Sequence, residues 1–100
     1  MRDLEHWDEA LRLGKKAHAF NADDYRPCTL LGAIYMETGK CSLGKEWYDK
    51  AEERGYTADS VDQEIRAIFL RADQAKQANM SESLLSSDPD RYAWVKQFTK

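Results

Sequence analysis

Residues Gly39 to Glu46, GKCSLGKE, satisfy seven of the eight positions of the phosphate-cradling pattern G-x-x-x-x-G-K-[ST]. In a working site of that kind, backbone N–H groups wrap the phosphates, the lysine reaches the outer ones and a hydroxyl holds Mg²⁺. Here Glu46 stands in place of the hydroxyl and would set a negative charge beside the phosphates. The context also differs. A phosphate loop follows a buried strand and opens a helix whose N-terminus faces the anion, whereas the residues before Gly39 carry a helical pattern. The stretch therefore reads as helix punctuation, with Gly39 as a stop, Lys40-Cys41 as a turn and Ser42 as an N-cap.

The other reactive residue types are equally unpromising as catalysts. His6 and His18 are 12 apart on one expected helix, about 18 Å along its axis, too far to share a metal within the chain. Surface or capping roles suit them. Cys28 and Cys41 lack a metal-knuckle spacing; Cys28 is expected in the core and Cys41 in the turn. The acidic groups Asp23-Asp24, Glu52-Glu53 and Asp88 with Asp90 fall at helix ends and on solvated faces. Paired catalytic carboxylates need burial or crowding to shift their pKa values. No enzyme activity, cofactor or metal is expected.

The 100-residue chain has room for one small domain, burying roughly 60–70% of its unfolded surface. Fifteen Lys and Arg against 18 Asp and Glu give a net charge of −3 with the signs mixed, against a dedicated nucleic-acid binder. No apolar run is long enough to span a membrane, and the acidic, amphipathic opening MRDLEHWDEAL is no signal peptide. A reducing, cytoplasmic location is the expectation. Leu, Ile, Val and Phe total only 17 residues, with 12 alanines and two prolines, which favours helices packed closely on small side chains.

Four helices are read from apolar periodicity. The first spans about 3–20, with Leu4, Trp7, Leu11, Gly14 and Ala17 or His18 on one stripe. The second runs from Arg26-Pro27 to Gly39, carrying Leu30, Leu31, Ile34 and Tyr35. The third spans 42–54, with Gly55 as its stop. The fourth begins after Asp59 or Ser60, where Ser60 and Gln63 form a capping box, and its stripe is Val61, Ile65, Ile68, Phe69 and Ala72. Residues 73–87 carry a weaker helical pattern. A last helix is expected from Asp90 to Thr99, with Tyr92, Trp94, Val95 and Phe98 apolar. Period-2 alternation is lacking, so no strands are expected.

Sliding the chain by 34 exposes an internal repeat. Lys16-Ala17 falls on Lys50-Ala51, Ala33-Ile34-Tyr35 on Ala67-Ile68-Phe69, Leu31 on Ile65 and Ala10 on Gly44. The helix breaks coincide as well, Asn21-Ala22 with Gly55-Tyr56. Gly32 and Gly44 would let two helices approach, with Tyr35, Trp47 and Tyr48 filling the volume around them.

These residues resemble tetratricopeptide repeats. In residues 25–58, Leu31, Gly32 and Tyr35 match the W-x2-L-G-x2-Y pattern of the first helix, with Cys28 at the Trp. Gly44, Tyr48 and Ala51 take the A-x3-F and small positions of the second, and Tyr56 replaces the closing Pro. Residues 1–24 resemble a half repeat, residues 59–88 a divergent repeat with Arg66 and Glu82 off-pattern, and residues 89–100 a terminal capping helix. The resemblance implies an all-α, antiparallel helical-hairpin solenoid of about two and a half repeats.

It also implies a non-catalytic scaffold that holds a peptide segment or helix of a protein partner in a concave groove. Carried over position by position, the groove residues are Arg26, Thr29, Ala33, Met36 and Glu37, then Ser60, Gln63, Ala67, Leu70 and Arg71. Of the basic and amide positions with which some members grip a C-terminal carboxylate, only Arg26 is present. A half repeat also leaves one side of Trp7, Leu11 and Leu13 uncovered. That suits a fragment of a longer chain, with self-association through exposed end helices or a regulatory repeat region of a larger protein as the alternatives to groove binding.

Overall fold

A computed structural model describes residues 4–98. The described residues form five α-helices, a short 3₁₀ helix and no strand. The α-helices are α1 (Leu4–Phe20), α2 (Tyr25–Glu37), α3 (Cys41–Glu53), α4 (Ala58–Arg71) and α5 (Gln74–Ser87), and the 3₁₀ helix covers Ala93–Gln97. The expected limits Asp3 and Thr99 lie outside the described residues, as does the side chain of Leu4. No described helix is long and apolar enough to cross a membrane.

Local chemistry sets the boundaries. Asp24, in extended backbone, caps α2 by accepting from the N–H of Arg26 at 3.0 Å. Gly39 and Gly55 end α2 and α3 at φ of 91° and 107°, a left-handed geometry that glycine adopts freely. Asp73 caps α5 through the N–H of Lys76 at 2.8 Å, and this cap starts a full helix where the sequence pattern is weak.

Two expected caps are displaced. α3 is capped two residues early, with Lys40 at the N-cap in place of Ser42 and no side chain capping it. Ser42 lies inside the first turn, 3.2 Å from the hydroxyl of Ser83 on α5. α4 is capped by Thr57, whose oxygen accepts from the N–H of Ser60 at 3.1 Å. Ser60 is thus the capped residue, and Gln63 is exposed on α4. The expected Asp90–Thr99 helix is replaced by a turn and the 3₁₀ segment. Tyr92 and Val95 are both fully buried. A 3₁₀ turn points residues three apart in the same direction, as an α-helix does only approximately.

α2 and α3 pack as the tightest pair. A Cβ on Gly44 would lie 2.8 Å from the carbonyl oxygen of Gly32 and 2.6 Å from Met36 Cγ. One on Gly32 would lie 2.9 Å from Tyr48 Cδ2. The two backbones therefore meet where neither bears a side chain. α1 packs on α2, α2 on α4, α3 on α5, and α4 on both α3 and α5. Alternate helices thus lie beside one another, and the body is flattened, 42 × 32 × 17 Å.

The core runs between these helices. Met36, Cys41, Tyr48, Val61, Ile65, Ile68, Phe69, Met80, Leu84, Tyr92 and Val95 form one buried cluster. Cys41 belongs to it and is not a turn residue. Phe69 is flanked edge-on by Trp94 at 5.5 Å and by Phe98 at 5.7 Å. Arg91 fastens the C-terminal segment. It donates to Asp62 on α4 at 2.9 Å and to Glu52 on α3 at 2.5 Å.

Gly44→Ala tests the close pairing. Alanine is the better helix former by about 1 kcal/mol, yet the added methyl meets backbone. The variant is expected to lose about 1–3 kcal/mol of net stability, read as a lower urea midpoint at unchanged slope. A midpoint at or above that of the parent would show that the helices are free to separate.

Candidate interaction surface

The phosphate-like stretch is absorbed by the helices it joins. The N–H of Gly39 donates to Met36 O at 3.2 Å and that of Gly44 to Lys40 O at 2.9 Å. Lys45 is buried, paired with Asp49 at 2.5 Å, and its ammonium lies 5.5 Å from the ring centroid of Tyr92. Glu46 is exposed. Lys45 thus packs between α3 and the C-terminal segment, Gly44 lies against α2, and Gly39 ends α2.

One juxtaposition of reactive groups was not expected. The antiparallel return of α2 over α1 brings Cys28 Sγ to 3.7 Å from His18 Nδ1, and His18 meets the Trp47 ring edge-on at 5.1 Å. Burial pushes the Cys28 thiol above its ordinary value, outweighing the attraction of Arg54 and Lys50. The thiol is also fully buried. Nucleophilic cysteines have the opposite, a lowered pKa and access. The short loop at 21–24 was the available signal, since it folds the last turn of α1 onto the first turns of α2. Among the described residues, no group of three or more His, Cys, Asp or Glu gathers as metal ligands.

The expected groove residues divide in two. On α2, the Arg26 guanidinium turns back onto the Asp24 carboxylate, with Nη2 2.7 Å and Nε 3.0 Å from its oxygens. The Thr29 hydroxyl donates to Arg26 O at 2.9 Å. Ala33 is half-buried against the core. Met36 is fully buried, which takes it off any exposed groove; it sits on Gly44, whose missing side chain draws it inward. On α4, Gln63, Ala67, Leu70 and Arg71 are exposed, and Ser60 is half-buried in the cap of that helix.

Glu37 and Arg71, 34 residues apart, pair directly at 2.6 Å and tie the C-terminal end of α2 to that of α4. Lys76 adds a hydrogen bond to Glu37 O at 2.7 Å. Trp7, Glu37, Arg71, Ala72, Asp73 and Lys76 line a cleft at this end. Trp7, expected to be uncovered on one side, is half-buried and borders this cleft. Periodicity on α1 alone could not reveal this, because the other walls belong to turns far along the chain. Leu30 and Leu70, 46% and 53% exposed, are the large apolar side chains left open on α2 and α4.

A second polar knot supports α4 from beneath. The Tyr48 hydroxyl donates to Glu64 Oε1 at 2.9 Å, and that of Tyr56 to Oε2 of the same carboxylate. Tyr56 stacks on Tyr25 at 4.8 Å. Burial and the Glu64 charge push the Tyr48 hydroxyl well above its ordinary value, so it stays protonated and remains a donor. The chain matches no protein-family model, no curated protein and no solved structure.

The hydrogen bonds from Arg26 hold Asp24 down from 3.8 to about 2. A depressed carboxylate stabilises the fold above its unfolded value, and that contribution is lost as pH falls through about 2. A carboxyl NMR titration should place the Asp24 midpoint near 2, and Arg26→Gln should raise it toward 3.8. A midpoint in the usual carboxylate range in the parent chain would mean that Arg26 is free to meet a ligand.

Proposed function

We propose that the chain is a non-catalytic protein–protein interaction module, built as a tetratricopeptide-like solenoid that receives a peptide segment or helix on the joint face of α2 and α4. The observation that carries this reading is exposed apolar side chains on both helices with an ion pair at one end. Leu30 and Leu70 are exposed, with Ala67 between the turns of α4, and the Glu37–Arg71 pair stands at one end. Small residues admit a backbone closely, and open leucines give a partner apolar area to cover.

The solenoid part of the proposal draws support from two facts. Alternate helices pack side by side, α2 with α4 and α3 with α5. Residues one repeat apart are spatial neighbours at Glu37 and Arg71. A stack of helix hairpins requires both features. A single unit buries too little alone, which fits the continuous core shared by α2 through α5 and the C-terminal segment.

The test is selection from a displayed random-peptide library, followed by titration of the enriched peptides. Ala67 is exposed, so Ala67→Trp is compatible with the fold. Peptides that bind this face should lose roughly tenfold or more in affinity to the variant. They should keep parental affinity for Glu46→Trp, altered at an exposed position on α3. Equal affinity for the parent and Ala67→Trp would reject this face as the site.

A further inference from the structure

α1 carries its charges in two blocks. Asp8 and Glu9 occupy its first half, Arg12, Lys15 and Lys16 its second, and all five are exposed. The helix dipole favours that order. It does not account for the apolar residues on the same outward side. Phe20 is 93% exposed and Leu13 is 56% exposed, the two most open large hydrophobics among the described residues. At 100° per residue, Glu9, Leu13, Lys16 and Phe20 form one stripe, centred roughly 130° around the helix from Gly14, the residue that packs on Leu31 of α2. Asp8, Leu11, Arg12, Lys15, Lys16 and Ala19 line a shallow open depression along the outer face.

We propose that this face binds a second copy of the chain, with the two α1 helices antiparallel about a two-fold axis near Arg12. The charge order singles out this occupant. An antiparallel copy sets Glu9 of each chain beside Lys16 of its partner. It brings Leu13 over the aliphatic stem of Arg12, and Phe20 over the partner's first helical turn. A parallel copy would face acid with acid and base with base. The arrangement is isologous and closes at two. Glu9 and Arg12 of one helix are only loosely paired, at 3.8 Å and largely exposed, so both can exchange partners. Two 17-residue helices, each about 25 Å long, cover less than a standard interface. The dimer is therefore weak and forms at roughly micromolar concentration or above.

Sedimentation equilibrium over a concentration series reads the outcome. The parent should rise from 11.6 kDa toward twice that mass. Lys16→Glu and Glu9→Lys each place like charges together twice in the dimer and should weaken it by roughly tenfold or more. The double variant, and an equimolar mixture of the two singles, should each recover dimer, because both restore opposite charges across the axis. Circular dichroism checks that helix content is kept. A parent that stays at 11.6 kDa throughout overturns the proposal. So do single variants that dimerise like the parent, or a double variant that does not recover.

Discussion

The fold rests on the contact between Gly32 and Gly44. Neither residue has a side chain, so the α2 and α3 backbones approach until the carbonyl of one fills the space a methyl on the other would need. That approach fixes where the surrounding large residues lie. Tyr48 lies over Gly32, and Met36 over Gly44. Held there, the Tyr48 hydroxyl emerges beside α4 and meets Glu64, whose second oxygen takes Tyr56. A fully buried hydroxyl without a partner costs about 1–3 kcal/mol. The Glu64 bond therefore removes a penalty that the close packing would otherwise impose. Interhelix distance in the first hairpin thus sets the seat of α4, and with it the outward direction of Ala67 and Leu70.

The C-terminal segment solves a different balance. Tyr92 is fully buried and its hydroxyl has no hydrogen-bond partner. Burying an aromatic side chain removes about 150–250 Å² from water, worth roughly 4–6 kcal/mol at about 25 cal/mol per Å². That exceeds the desolvation of one hydroxyl, about 1–3 kcal/mol. Burial wins, and Arg91 next to it supplies the anchoring the hydroxyl does not. Its guanidinium reaches Glu52, Asp62 and the carbonyl of Ala58, three groups contributed by α3 and α4. The positive charge is held among opposite charges at a partly buried site, where such pairs are screened less than at the surface.

The hairpin of α2 and α3 was legible because its determinants are local and unambiguous. Gly39 and Gly55 mark the stops, the apolar stripe places Leu31 and Ile34 inside, and two glycines 12 apart across a short turn predict a close approach. The caps at Ser42 and Ser60 were misplaced because several hydroxyl residues compete within one turn. Thr57 was preferred by its extended backbone, a property of the loop path and not of the residue type. Met36 lay on an arithmetically exposed position and was drawn inward by an empty volume on α3. Cys28 with His18, and Trp7 with Lys76, depend on which helices become neighbours. No single-segment pattern contains that information.

On the proposed reading, the Glu37–Arg71 pair would also matter to recognition. An exposed ion pair contributes about 0–1 kcal/mol, since both partners are well hydrated when apart. Arg71 is 62% exposed while Glu37 is 20% exposed and rests against the lysine-bonded end of α2. The arginine is therefore the movable member. It can leave Glu37 for an acidic group on a partner at little cost to the fold, because Lys76 stays hydrogen-bonded to the Glu37 carbonyl at that end. Arg26 differs, since its guanidinium is engaged through two nitrogens with Asp24 at the helix cap, and releasing it would disturb the start of α2. Charge recognition on this face is thus weighted toward the C-terminal ends of α2 and α4, where Trp7 supplies an aromatic wall.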